Sequence, residues 1–110
     1  MSSEDQIFSR LMEAIEDRKA NLPAESYTTT LFAGGVEEIG GKIMEEAAEV
    51  VEAAREGEKG HSHLVHEASD LIYHLFVMLG YREIPLCEVQ AELVRRFGIS
   101  GLDEKAARKA

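Results

Sequence analysis

Glu46 and Glu49 stand three residues apart in the segment KIMEEAAEVVEAA, and Glu67 and Asp70 repeat that spacing in LVHEASDLIYHLFVML. Side chains three or four positions apart share one face of an α-helix, so each pair projects as a unit. Glu45 and Glu52 extend the first acidic face. Two packed helices could aim all these carboxylates at one point, where each close pair would repel by roughly 4 kcal/mol at an effective dielectric near 20. A divalent cation removes that repulsion. A donor set made of carboxylate oxygens suits a hard ion, Mg²⁺ or Mn²⁺, and lacks the thiolates or multiple imidazoles that favour zinc. His63 and His74 lie at helical spacing with Glu67 and Asp70, which leaves a mixed imidazole and carboxylate site open.

The competing reading is an acidic face that simply meets solvent. Against it, Glu67 and Asp70 interrupt an otherwise apolar helix, where ionised groups are costly unless compensated. The histidines at 61, 63 and 66 sit near a helix start and read as surface residues, and His74 as a hydrogen-bonded core residue. The run GGVEEIGGK is not a phosphate-binding P-loop, because that spacing needs glycine where Val36 stands and Ser or Thr where Ile43 stands. Arg95, Arg96, Lys105, Arg108 and Lys109 are either phosphate contacts or cations that complement helix C-termini.

These residues must be carried on helices. Ile7, Leu11 and Ile15 recur at helical spacing after a start cap at Ser2 or Ser3, and the helix should stop near Asn21 because Pro23 disfavours helical geometry at Leu22. NLPAESYTTT reads as a connector. A second helical region begins around Leu31, is interrupted at Gly34/Gly35 and again at Gly40/Gly41, and runs strongly from Lys42 to about Arg55. Gly57 and Gly60 mark the next turn. From about His61 to Tyr81 apolar residues occupy nearly every side of the helix, which must then be covered all round. So short a chain has little to wrap it with, and a second copy is expected to supply part of the cover. Pro85 opens a further amphipathic helix, LCEVQAELVRRF, and Ser100 offers a cap for a basic tail, SGLDEKAARK. The fold class is all-α, an antiparallel helical bundle completed by dimerisation.

The 110 residues fit one domain, 1–110. A formal net charge of −9 argues against nucleic acid or an anionic membrane as a partner, since both need a basic face. The N-terminal stretch lacks the apolar core of a secretion signal, and the apolar run from Leu71 to Tyr81 is well short of the ~20 residues of a membrane span. The single cysteine, Cys87, is expected to be a small buried apolar residue in a reducing compartment, so the protein is expected to be cytoplasmic.

Three ordered runs, SYTTTLFAGGVEEIGGKIMEEAAEVVEAA, HEASDLIYHLFVML and ELVRRFGISGLDEKAARK, closely resemble phosphoribosyl-ATP pyrophosphohydrolase, the enzyme of the second step of histidine biosynthesis. The resemblance spans about residues 7 to 110 and implies an all-α nucleotide pyrophosphohydrolase, whose signature, ExxE on one helix and ExxD on the next, falls on Glu46/Glu49 and Glu67/Asp70. By that resemblance the four are Mg²⁺ ligands and Glu45 is a further acidic residue of the motif; a carboxylate not fully committed to metal, Glu45 or Glu49, is then the candidate to take a proton from the attacking water. Lys42, Lys105 and Arg108 become phosphate contacts, and Tyr27, within Ser26–Tyr27–Thr28, helps form the substrate site. Gly41 stands where many relatives carry a second lysine, and Met44 where glycine is usual. No cyclohydrolase domain accompanies the resemblance, which suggests the stand-alone form. The implied reaction hydrolyses 1-(5-phosphoribosyl)-ATP to 1-(5-phosphoribosyl)-AMP and pyrophosphate. The alternatives are a pyrophosphohydrolase that clears non-standard nucleoside triphosphates, and a non-catalytic adaptor whose acidic face meets a basic partner.

Overall fold

The structure, a computed structural model, describes residues 3–98 as four α-helices, with no strand among the described residues. Helix α1 spans Ser3–Asn21, α2 Tyr27–Arg55, α3 His61–Tyr81 and α4 Leu86–Phe97, with a 3₁₀ turn at Gly57–Gly60 between α2 and α3. Glu4 and Asp5 in the first turn of α1 and Arg18 and Lys19 in its last complement the helix dipole. The helix stops where Leu22 takes a left-handed conformation, φ 47°, and its N–H bonds the Arg18 carbonyl at 2.7 Å, just before Pro23.

Two local expectations are corrected in α2. The connector is shorter than NLPAESYTTT suggests, because Ser26 caps α2 by accepting the Thr29 N–H at 3.3 Å, and helix begins at Tyr27 rather than near Leu31. Only the first glycine pair breaks the helix. Gly35 has φ 68° and ψ −159°, whereas Gly40 and Gly41 continue the helix without positive φ. The break is a reversal: Tyr27 lies beside His74 and Gly35 beside Tyr81, but Gly40 faces Met78 and the carboxylates at 46 and 49 reach Glu67. The short limb Tyr27–Gly34 thus climbs α3 and the long limb from Val36 descends it, so α3 is flanked by both.

Met12 and Ile15 of α1, Leu31, Phe32 and Ile39 of α2, and Phe76 and Val77 of α3 form the buried core. Gly80 lets α1 approach α3, since a Cβ there would sit 2.8 Å from Ile15. Helix α4 contributes no fully buried side chain. Its Leu93, Val94 and Phe97 are exposed, as are Val65 and Leu75 on α3, so the described residues do not cover α3 all round. Cys87, expected to be buried, is exposed, because α4 is seated at the bundle edge and Cys87 lies in its first turn. No described helix is long and apolar enough to cross a membrane.

Candidate metal and phosphate site

The long limb of α2 and the first half of α3 run side by side, and their facing acidic residues converge. Glu46, Glu49 and Glu67 offer oxygens within 4.8 Å of one another. Glu46 and Glu67 are buried, 8% and 6% exposed, and Glu49 is half-buried. Asp70 belongs to a second group: His66, Glu67 and Asp70 offer atoms within 4.8 Å of one another, with His66 Nε2 3.3 Å from Asp70 Oδ2. Glu67 belongs to both groups, so the structure brings three of the four sequence-predicted carboxylates together and sets Asp70 beside Glu67.

The electrostatics bear the strain of that convergence. The Glu67 carboxyl is pushed up to about 7, first by hydrogen bonding to Glu49, then by its own burial and by the negative charges of Glu49 and Glu46. Near neutrality the cluster is therefore only partly ionised. His63 reaches it as well, with Nε2 3.4 Å from Glu67 Oε2 and Nδ1 3.0 Å from Glu56 Oε2, and these carboxylates, Glu56 foremost, raise the imidazole pKa. Glu46 Oε2 is buried with no hydrogen-bond partner among the described residues. Buried carboxylate oxygens are costly to leave unpaired. An unpaired buried oxygen on one member of a three-carboxylate cluster fits a hard divalent cation, whose charge would offset the three.

Glu45 and Lys42 are not members of the trio. They pair with each other, Lys42 Nζ to Glu45 Oε2 at 3.7 Å, and line an open cleft of about 250 Å³ with Glu37, Glu38 and Gly41. Tyr27 reaches across to α3. Its hydroxyl is 3.0 Å from His74 Nε2, and His74 Nδ1 donates to the Asp70 carbonyl at 2.8 Å. Because a carbonyl can only accept, Nδ1 carries the proton, and in the neutral ring Nε2 accepts from the tyrosine. Partial burial raises the Tyr27 pKa, opposed by Lys42 and reinforced by Tyr73, Glu46 and Glu38, so the phenol stays protonated and lies within the field of the acidic cluster. Thr28 Oγ1 hydrogen-bonds Tyr73 Oη, and the Tyr27 and Tyr73 rings stack at 6.3 Å. Sequence reasoning did not single out Tyr73 or Glu56. Tyr73 sits in an apolar run that looks like core, and its partner is 45 residues away. Lys105 and Arg108 lie outside the described residues.

Known proteins resemble this chain over most of its length. The family model for phosphoribosyl-ATP pyrophosphohydrolase matches residues 8–97. A protein named phosphoribosyl-ATP pyrophosphatase in Rhodopirellula baltica is 55% identical over 102 residues, covering 92% of this chain and 85% of that protein. One of the same name in Geobacter sulfurreducens is 44% identical over 98% of both chains. Another in Nitrosospira multiformis is 46% identical over 100% of this chain and 88% of its own.

Proposed function

The chain belongs to the phosphoribosyl-ATP pyrophosphohydrolase family, and on that premise we propose that it hydrolyses 1-(5-phosphoribosyl)-ATP to 1-(5-phosphoribosyl)-AMP and pyrophosphate, the second step of histidine biosynthesis, with Mg²⁺ held by Glu46, Glu49, Glu67 and Asp70. These products require cleavage of the α,β phosphoanhydride. The observation that carries the reading is the convergence of Glu46, Glu49 and Glu67 within 4.8 Å, with one buried Glu46 oxygen unpaired.

When bound, Mg²⁺ supplies charge to offset the triphosphate and to stabilise the pyrophosphate as it leaves. The protein's own groups do the rest. Glu46 and Glu67, buried and fixed on adjacent helices, present a preformed cradle that needs little reordering. Glu49 is better placed than Glu45 to accept the proton of the attacking water, because it lies in the trio and already shares hydrogen bonding with Glu67, whereas Glu45 faces Lys42. Lys42, at the rim beside the trio's helix face, offers its ammonium to a phosphate once it swings away from Glu45. Lys105 and Arg108 are assigned the same role by family resemblance.

A second copy of the chain covers the apolar residues of α3 and α4 that this one leaves exposed, Val65, Leu75, Leu93, Val94 and Phe97. Sedimentation as a monomer at micromolar concentration would refute that part. Cytoplasmic residence belongs to the same reading, supported by a lone thiol with no disulfide partner. The deciding experiment measures pyrophosphate release from phosphoribosyl-ATP and from a panel of deoxynucleoside triphosphates, with and without Mg²⁺. Metal-dependent release from phosphoribosyl-ATP alone is expected; preference for the deoxynucleotides would transfer the protein to the nucleotide-clearing class.

A further inference from the structure

We infer that the cleft between α1, the start of α2 and α3, walled by Leu11, Ala14, Arg18, Tyr27 and Tyr73, takes the phosphoribosyl arm of the substrate, with Arg18 meeting its 5-phosphate. This rests on the proposed reaction and adds to it the residues that distinguish phosphoribosyl-ATP from ATP itself. The cleft holds about 390 Å³, within the range of small-molecule sites. Its walls are chemically divided. Leu11 and Ala14 offer apolar surface, the stacked Tyr27 and Tyr73 rings offer a flat side, and Arg18 is the basic side chain among the described residues lining it. Arg18 is offered to this cleft from the last turn of α1. Its ion pair is with the adjacent Asp17, at 3.7 Å and largely solvent-exposed, which a phosphate dianion can outcompete.

Position supports the assignment. Tyr27 is common to both sites: it lines this cleft, while its hydroxyl binds His74, whose ring is tied to the Asp70 carbonyl. The phenol also lies in the field of Lys42 and Glu46. A substrate whose triphosphate occupies the carboxylate centre and whose base crosses Tyr27 therefore delivers its far end to Arg18. The cleft walls are held in place in advance, since Thr28 and Tyr73 bond hydroxyl to hydroxyl and Tyr73 packs edge-on to His74 with ring centroids 5.0 Å apart.

The test uses Arg18→Gln and Arg18→Lys in the full chain, with phosphoribosyl-ATP as substrate and ribose 5-phosphate and pyrophosphate as separate competing probes. Loss of one charge-assisted phosphate contact should raise KM about tenfold to a hundredfold in Arg18→Gln while kcat changes little, and Arg18→Lys should recover part of it. Inhibition by ribose 5-phosphate should weaken in step with KM, and inhibition by pyrophosphate should not. An unchanged KM in a folded Arg18→Gln protein, or equal weakening of both inhibitors, overturns the assignment. Should Arg18→Gln not fold, failure of ribose 5-phosphate to compete with substrate on the unmutated protein overturns it equally. If the unmutated protein releases no pyrophosphate from phosphoribosyl-ATP, it is the proposed reaction that fails.

Discussion

Replacing Gly35 with alanine is expected to destabilise the protein, whereas the same change at Gly41 is expected to stabilise it. At Gly35 the backbone has φ 68° and ψ −159°, a region nearly restricted to glycine, and a Cβ would also sit 3.2 Å from Tyr81 Oη. Holding a side-chain-bearing residue there costs on the order of 1–3 kcal/mol. For a chain of this size that corresponds to a fall in melting temperature of roughly 5–15 °C. At Gly41 the helix is regular and nothing lies within 4 Å of an added Cβ. There alanine reduces the freedom of the unfolded chain and gains about 0.4–1 kcal/mol, a rise of roughly 2–5 °C. Thermal melts of both variants in metal-free buffer at one protein concentration measure the difference. The opposite signs are the diagnostic. If Gly35→Ala matched or exceeded the unmutated protein, the chain would pass through residue 35 as ordinary helix, and the reversal that brings Tyr27 to His74 would not exist. Where the reversal holds, Gly35→Ala should also lower turnover, because the limb carrying Tyr27 pivots on that residue.

Glu67→Gln should change how stability depends on pH. Because the Glu67 carboxyl is raised from 4.5 to about 7, the folded state retains a proton that the unfolded chain releases. Metal-free stability should therefore fall as pH rises from about 4.5 through about 7, with the favourable contribution intact below that window. The glutamine variant should flatten this part of the profile, which melts between pH 4 and 8 would record. Mg²⁺ at a hundredfold excess over its dissociation constant should stabilise the unmutated protein by ~2.7 kcal/mol. Glu46→Gln should lose most of that gain, and calorimetric titration with Mg²⁺ would check the loss directly. Asp70→Asn should abolish pyrophosphate release while leaving the helical circular dichroism unchanged; full turnover would remove Asp70 from the metal site.

Local signals placed most of the helical framework. Pro23 marks the end of α1 at Asn21, Gly57 and Gly60 the turn before His61, and Pro85 the start of α4 at Leu86. The carboxylate centre was readable for the same reason, since i,i+3 spacing is a property of one helix and two adjacent helices suffice to join the pairs. What escaped depends on neighbours distant in sequence. Two identical glycine pairs behave differently because only Gly35 adopts a positive φ, while Gly40 and Gly41 stay helical on the limb that packs against α3. The threonines at 28–30 disguised a helix start through their weak helical preference, which Ser26 capping and the Thr28–Tyr73 bond overcome. Cys87 looked like core because its type is commonly buried, yet α4 sits at the edge. The Arg18 cleft joins three helices and has no signature within any one of them.

Since α3 carries Glu67 and Asp70 on one stretch and Tyr73 and His74 on the next, the two ends of the site are phased by a single rod. One residue inserted between Asp70 and Tyr73 would swing everything beyond it by about 100°. The aromatic ring pair would then face a different neighbour, with every side chain still present and the helix unbroken. Point substitutions along this rod should be tolerated far better than a change in its length.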